Sequence, residues 1–324
     1  MKATKIISAC AVLVALASCS NDHVISQPGA EDTPIRIQAN VGAVTTKAAS
    51  DIQGSQFVNG ESVNVYIFEH TTSSPADYTY GNANDGLVVC TADGTGKLNP
   101  GSIFYPQNGN GIDVYGVYPT TVTESQSQFS FEVKTDQSSD LNYKASDLMY
   151  ASKVIDHKKG SAVDLTFKHK LSKVTVELVA GTGFQDNDLN NAVVKITNTY
   201  NGCTIASLNL NSIGNIAEDV QSAKTAITIG TWNSTSKEKM SAIVIPQTVN
   251  AGDQLFEVTL NGISTPYKYK IPTGGNNVVF AGGNEYNYKL TIKIDGIDVT
   301  STITDWTDDS SNLPDNGNGN ATLD

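Results

Sequence analysis

The sequence predicts an all-β protein built from two β-sandwich domains behind an N-terminal export signal. Three observations support this prediction. Apolar and polar residues alternate through most of the chain, turn-forming residues separate the alternating segments, and the alternation changes parity once near the middle. The length of 324 residues also suits two domains of ordinary size.

The N-terminus has the features of an export signal. Lys2 and Lys5 precede an apolar stretch, residues 6–17, that is too short to cross a bilayer as a helix. The stretch ends in Leu-Ala-Ser-Cys, which resembles a bacterial lipobox and implies cleavage before Cys19 and diacylation of its thiol. The alternative is an ordinary secretory signal with a chance cysteine. We therefore expect a signal peptide at 1–18, a tether at 19–33 and an outer-membrane lipoprotein held at the cell surface through the lipid on Cys19.

The charge of the chain excludes some partners. The formal net charge is −12, which argues against nucleic acid and against a basic patch that would bind anionic lipid. We expect the acidic residues to form a solvated outer surface.

Strict alternation marks several strands. In such a strand the apolar residues share one face, which is typical of antiparallel sheets with one buried side. Gly, Asn, Asp and Pro clusters separate these strands. The apolar faces are predicted to be Phe129, Phe131 and Val133 in one strand, Tyr267, Tyr269 and Ile271 in a second, and Tyr286, Tyr288, Leu290, Ile292 and Ile294 in a third.

A parity change suggests where one domain ends. Apolar residues fall on odd numbers up to Leu171 and on even numbers from Val174. A strand cannot change parity without a bulge, bend or break. We place the domains at 34–171 and 172–306, the alternative being one long bulged strand in a single sandwich. The polar segment 307–324 is predicted to be a loosely held tail.

Helices are not predicted. The segment 146–155 could form a short helix, since Ser146 resembles an N-cap, or equally a strand approach after a loop, and it is interpreted as irregular.

No constellation in the sequence predicts catalysis, a metal or a cofactor. The chain has no closely spaced His pair, nucleophile elbow, phosphate loop or dinucleotide fingerprint. We therefore expect a non-enzymatic protein, with His169 structural. Cys90 and Cys203 are interpreted as two separate thiols, although export leaves a disulfide open as an alternative.

The aromatic residues of the chain suggest an alternative function in carbohydrate binding. A set of tyrosines and tryptophans could form a carbohydrate platform, although tyrosine is also a favoured strand residue. The alternative function is therefore a monomeric surface glycan-binding lipoprotein. The residues concerned are Tyr78, Tyr80, Tyr105, Tyr115, Tyr118, Trp232 and Trp306.

Several motifs in order resemble the fimbrillin-like (Mfa-like) family of Bacteroidia-type pilus and surface lipoproteins. The most specific are "DLMYA" from Asp147 and "FKHKLSKV" from Phe167, and "DW" at Asp305 is a weaker marker. The resemblance implies two transthyretin-like β-sandwiches in tandem. It also implies a pilus structural, tip or accessory subunit that adheres to a glycan or to a host or bacterial surface receptor.

The resemblance implies a mode of assembly as well. A trypsin-like maturation protease cuts after the first strand, and a strand of another pilus subunit fills the vacated groove by β-strand addition. The candidate cleavage site is Lys47 and Ala48, whereas Arg36 is expected to be shielded. If the run 297–306 is the last strand of the second sandwich, the chain has no further strand to donate and would be a tip or accessory subunit or a monomeric lipoprotein. The candidate displaced strand presents Ile35, Ile37, Ala39 and Val41 on one face.

Overall fold

Seven of the eight described strands of the first half form a closed barrel in which β1 and β8 are neighbours, and β6 lies outside it. The computed structural model describes residues 33–42, 56–71, 86–123, 129–208, 213, 216–220 and 223–306. The barrel order is β1-β4-β3-β2-β5-β7-β8. The strands of this half are β1 Ile37–Val41, β2 Ser62–Glu69, β3 Leu87–Ala92, β4 Lys97–Asn99, β5 Ile112–Tyr118, β6 Phe129–Glu132, β7 Met149–His157 and β8 Val163–His169.

The second half packs two four-stranded sheets together. Their orders are β13-β10-β16-β17 and β14-β9-β19-β20, and smaller ladders join β15 to β18 and β11 to β12. The strands are β9 Ser172–Ala180, β10 Val193–Thr199, β11 Gly202–Ile205, β12 Ile216–Glu218, β13 Thr225–Thr231, β14 Met240–Val244, β15 Gln247–Val249, β16 Gln254–Thr259, β17 Tyr267–Lys270, β18 Val278–Phe280, β19 Asn284–Lys293 and β20 Gly296–Asp305.

Helical structure is confined to two short segments of the described chain. The helix α1 spans Asp140–Ala145, and a 3₁₀ turn spans Asp186–Leu189. Ser139 is the N-cap of α1 and accepts from the Asn142 N–H, whereas Ser146 lies at its C-terminal end. The N-cap suggestion for Ser146 was therefore wrong, and most of the segment interpreted as irregular is strand β7.

The all-β prediction is confirmed. The strand break predicted from the parity change is also present, since β8 ends at His169 and β9 begins at Ser172 in a different sheet. The one long bulged strand is therefore not observed. The division into two domains stays a prediction, and one ladder crosses the proposed boundary because β6 pairs with β11. All of the described residues belong to one compact unit.

Two clusters of buried side chains form the core. One fills the barrel and includes Ile37, Val65 and Phe167. The other lies mainly in the second half and includes Val176 and Phe256. Tyr286, Tyr288, Leu290 and Ile292 face inward as predicted, but Ile294 lies in the β19–β20 turn and is exposed. None of the helices in the described part of the chain is long and apolar enough to cross a membrane.

Candidate assembly site

The first strand is built into the barrel. It continues the alternation of the sequence, with inward apolar side chains and outward Arg36 and Gln38. Each of the four predicted inward residues is at most 3% exposed, which places the whole apolar face of the strand in the core. These residues are Ile35, Ile37, Ala39 and Val41.

Backbone pairing holds β1 on both sides. It runs parallel to β8 over five consecutive positions, from Ile37 opposite Val163 to Val41 opposite Phe167. On its other side it pairs antiparallel with β4. Its leading segment is also bonded, because the Ile35 N–H donates to the Ile103 carbonyl at 2.8 Å. The strand therefore closes the barrel between β4 and β8.

The apolar floor beneath β1 comes mainly from β8. Val163, Leu165 and Phe167 are fully buried, and each shares a register position with an inward residue of β1. A Cβ at Gly116 would lie 2.4 Å from the Phe167 ring, so glycine makes room for that ring over β5. The Phe57 ring meets the Phe167 ring edge-on, with centroids 5.0 Å apart.

Phe57 and Gly116 were not singled out from the sequence. Phe57 carried a usable signal, since it is the first large aromatic residue after the candidate cleavage site. Gly116 carried none, because a lone glycine in an alternating strand does not reveal which ring lies over it.

The environment of Arg36 corrects one expectation. Its side chain is exposed and donates to the Gly160 carbonyl at 3.1 Å, so the side chain is not shielded. Its backbone is engaged, because its carbonyl accepts from the Val163 N–H at 2.8 Å. A protease that needs an extended, unpaired substrate would therefore have to detach the strand before cutting there.

Other predicted site residues lie outside the described residues. These are the lipidation candidate Cys19 and the cleavage candidates Lys47 and Ala48. The predicted tail, residues 307–324, lies outside them too. The last described position before Lys47 is Gly42, whose N–H donates to the Phe167 carbonyl, and the described chain resumes at residue 56.

The three motifs that carry the family resemblance meet in one buried cluster. His169 Nδ1 lies 2.8 Å from Asp147 Oδ1, and both side chains are at most 3% exposed. The Trp306 indole stacks on the His169 ring at 3.8 Å with an interplanar angle of 7°. The cluster thus joins the end of the described chain to strands β7 and β8. The sequence identified these residues separately but not as partners.

Titratable groups at one end of the barrel form structural ion pairs. The Asp113 carboxylate contacts His70 Nδ1 at 2.9 Å and Lys153 Nζ at 3.0 Å. Partial burial opposes ionisation of Asp113, but hydrogen bonds from the Asp156 N–H, Lys153 and His70 outweigh it and lower its pKa. Among the described residues, no group of three or more His, Cys, Asp or Glu side chains could hold a metal.

Cys90 and Cys203 are free thiols, as predicted. Cys90 is buried in the barrel cluster and Cys203 in the other cluster. Burial raises the pKa of each thiol to about 12.

The predicted aromatic platform is largely internal. Tyr78 and Tyr80 lie outside the described residues, and the other five aromatics are buried, none more than 7% exposed. They therefore serve packing and offer no exposed face to a sugar. The buried residues are Tyr105, Tyr115, Tyr118, Trp232 and Trp306.

The sequence and the fold are similar to those of several known proteins. A protein of Bacteroides uniformis named "Putative fimbrium subunit Fim1C" is 26% identical over 98% of this chain and 98% of its own length. A solved structure of a "putative cell adhesion protein" from Bacteroides uniformis superposes with a TM-score of 0.62 at 24% identity, covering 87% of this chain and all of the other. A similarly described structure from Bacteroides ovatus gives 0.59 at 17% identity, covering 85% and 98%.

The fold thus defines an all-β protein with a seven-stranded barrel closed by β1, similar in fold to these solved structures. The model of the fimbrillin-like family matches residues 46–306, most of the chain. The protein belongs to the fimbrillin-like family.

Proposed function

We propose that this protein is a fimbrial subunit, exported as a lipoprotein through Cys19 and assembled at the cell surface by protease-triggered exchange of β1. The observation that carries the proposal is that β1, the first strand of the described residues, has its entire apolar face inside the barrel. A strand that one cut separates from the body can leave without breaking the rest of the chain. A neighbour's strand with the same alternation can then take its place.

The physics of the vacated groove would drive assembly. Removing β1 uncovers the apolar floor on β8 and leaves unpaired backbone groups on β4 and β8. Burial of a large aliphatic side chain contributes roughly 1.5–3 kcal/mol, and an open strand edge is a template for pairing. A strand from another subunit restores both kinds of contact.

The trigger in this proposal is cleavage after Lys47 by a trypsin-like protease. Lys47 lies between Gly42, where β1 leaves the barrel, and Phe57, which packs on Phe167. Cutting there would separate the lipid anchor and β1 from the rest of the chain. Phe57 would then hold the new N-terminal segment of the body on the barrel.

We further propose a tip or accessory position, because the last strand of the described residues is already paired. Strand β20 pairs with β19 at all ten of its positions and is part of the protein's own sheet. Such a subunit offers a groove for a neighbour's strand while β20 stays paired within its own sheet. A terminal subunit is also the one best placed for adhesion.

Mass spectrometry of protein shed from the cell surface tests the cleavage step. We expect a mature N-terminus at Ala48, and we expect Lys47→Gln to abolish both this terminus and incorporation into fibres. Lys158→Gln is the matched control, since Lys158 is an exposed lysine in the β7–β8 turn. Assembled fibres in which every copy of the chain begins at Cys19 would refute the proposal.

Labelling with a palmitate analogue tests the anchor separately. We expect incorporation into the wild-type chain and none into Cys19→Ser. Equal labelling of both proteins would rule out Cys19 as the lipidated residue.

A further inference from the structure

Within the part of the chain that the structure describes, strand β20 has one edge with no ladder partner. It lies at the border of the sheet β14-β9-β19-β20 and pairs with β19 without a bulge. Strand β17 of the facing sheet packs near it, but no ladder joins the two. No backbone group of the described residues bonds to the outer edge of β20.

The hairpin turn determines which groups point outward. Lys293 and Gly296 close a two-residue turn, and in such a hairpin hydrogen-bonded pairs recur at every second position. The even-numbered residues of β20 therefore bond to β19. The Trp306 N–H, which donates to the Gly283 carbonyl, continues this pattern. The outward N–H and C=O groups belong to Ile297, Val299, Ser301, Ile303 and Asp305.

This edge has few of the features that usually protect an edge strand. Proteins shield such strands with charged side chains, above all lysines, with prolines, with bulges or by short length, and the charges here are two aspartates. The ten residues of β20 contain no lysine and no proline, and their register has no shift. Ile303 is 61% exposed beside an apolar cavity of about 220 Å³ that Tyr269 and Val279 help to line. The edge therefore combines free backbone groups with uncovered apolar surface.

We propose that this edge pairs with the same edge of a second copy, antiparallel, about a two-fold axis through Ser301. The outward-pointing residues then form hydrogen-bonded pairs along the whole strand. Ile303 meets Val299 of the second copy, which covers its exposed side. The pairs are Ser301 with Ser301, Val299 with Ile303 and Ile297 with Asp305 on the inner face, and Thr300 with Thr302 and Asp298 with Thr304 on the outer face.

The charges of the edge fit a second copy. Asp298 and Asp305 are the only charged residues of β20, and in this register neither faces another acidic residue. Like charges directly opposite each other destabilise a strand pair, whereas Thr–Thr pairs contribute favourably. The interface is isologous, so one patch serves both partners. It involves a different sheet from the β1 groove and does not depend on strand exchange.

The proposed register of β20 against β20 can be tested with charge variants. Sedimentation equilibrium of the purified exported protein gives the dimer dissociation constant of the wild type and of two double variants. Thr300 and Thr302 face each other only across the two-fold axis. In T300E/T302E, glutamates oppose each other there, whereas in T300E/T302K each glutamate faces a lysine. Both variants carry the T300E change, which places its carboxylate beside Lys289 of the same chain, so their monomers are matched at that contact.

We expect the wild type to dimerise, the dissociation constant of T300E/T302E to rise roughly tenfold, and that of T300E/T302K to stay close to wild type. A wild-type protein that stays monomeric at its highest soluble concentration would overturn the proposal. Binding of a strand from a different protein at this edge would overturn it too. Equal weakening in both variants would overturn the register.

Disulfide trapping gives a second readout that does not depend on affinity. Ser301→Cys places two thiols opposite each other at the axis, within the spacing that a disulfide needs. We expect oxidation to link Ser301→Cys into a covalent dimer and to leave Thr304→Cys monomeric, because Thr304 faces Asp298. Equal cross-linking of both variants would contradict this arrangement.

Discussion

At the scale of single residues, the cluster of Asp147, His169 and Trp306 shows why short motifs can mark a family without catalytic chemistry. A buried carboxylate needs a partner, and His169 supplies it at 2.8 Å. Trp306 then covers the His169 ring and fixes the end of β20 beside β8. The motifs are thus explained by packing at a junction between strands.

Removing the carboxylate of this cluster should be costly. Asp147→Ala leaves the buried His169 ring without its hydrogen-bond partner, and leaving a buried polar group unsatisfied typically costs about 1–3 kcal/mol. We expect chemical denaturation to show a loss of that order in the free energy of unfolding. Asp164→Ala is the control, since Asp164 is an exposed residue of β8 and should change stability by less than about 0.5 kcal/mol. An equal loss of unfolding free energy in the two variants would contradict the structural role assigned to Asp147.

Cys90 and Cys203 give a prediction that depends on the pKa of their thiols. Only a thiolate reacts readily with a thiol reagent, and burial raises the pKa of Cys90 and Cys203 to about 12. We expect neither thiol to react in the folded protein at pH 8, and both to react once the protein is unfolded in denaturant. Rapid reaction of either thiol under native conditions would show that its surroundings are more open than the structure indicates.

At the scale of elements, the sequence predicted the strands that bury one face. Strand β8 is such a case, with Val163, Leu165 and Phe167 inward and the residues between them exposed. Strand β5 buries all seven of its residues, so no alternation identifies its inner face. Helix α1 was missed because it has six residues and buries only Tyr143, which is too little for a helical period to show.

Strand partners could not be read from the sequence. The parallel pairing of β1 with β8 joins residues that are more than a hundred positions apart, and no turn links them. The β6–β11 ladder likewise crosses the parity change that suggested two domains. Alternation shows which face of a strand is buried, but the fold as a whole decides which strands are neighbours. The candidate site was therefore predicted as a strand, and its groove was not.

The apolar face of β1 should contribute strongly to stability. Ile37 is 2% exposed in the barrel, and truncating such a residue to alanine usually costs about 2–5 kcal/mol. We expect Ile37→Ala to lower the free energy of unfolding by this order. The adjacent Gln38→Ala should have little effect, since Gln38 points outward. A small effect of Ile37→Ala would mean that the barrel does not rely on β1.

At the scale of the whole molecule, the barrel is completed by the strand that is proposed to leave it. The uncut chain satisfies its own groove, and this keeps the open edges of β4 and β8 from pairing with other chains. Cleavage would convert that internal contact into one that a neighbouring subunit can supply. The edge of β20 lies on another sheet and would remain available throughout.

Uptake of a strand by the cut protein tests this account most directly. The measurement is binding of a labelled synthetic peptide, residues 33–43, to protein cut after Lys47, compared with uncut protein and with a peptide in which Ile35 and Ile37 are replaced by Asn. We expect the cut protein to exchange its own first strand for the labelled one, and expect no uptake by uncut protein or of the altered peptide. Cut protein that takes up no peptide, or both peptides equally, would contradict the claim that β1 is an exchangeable strand.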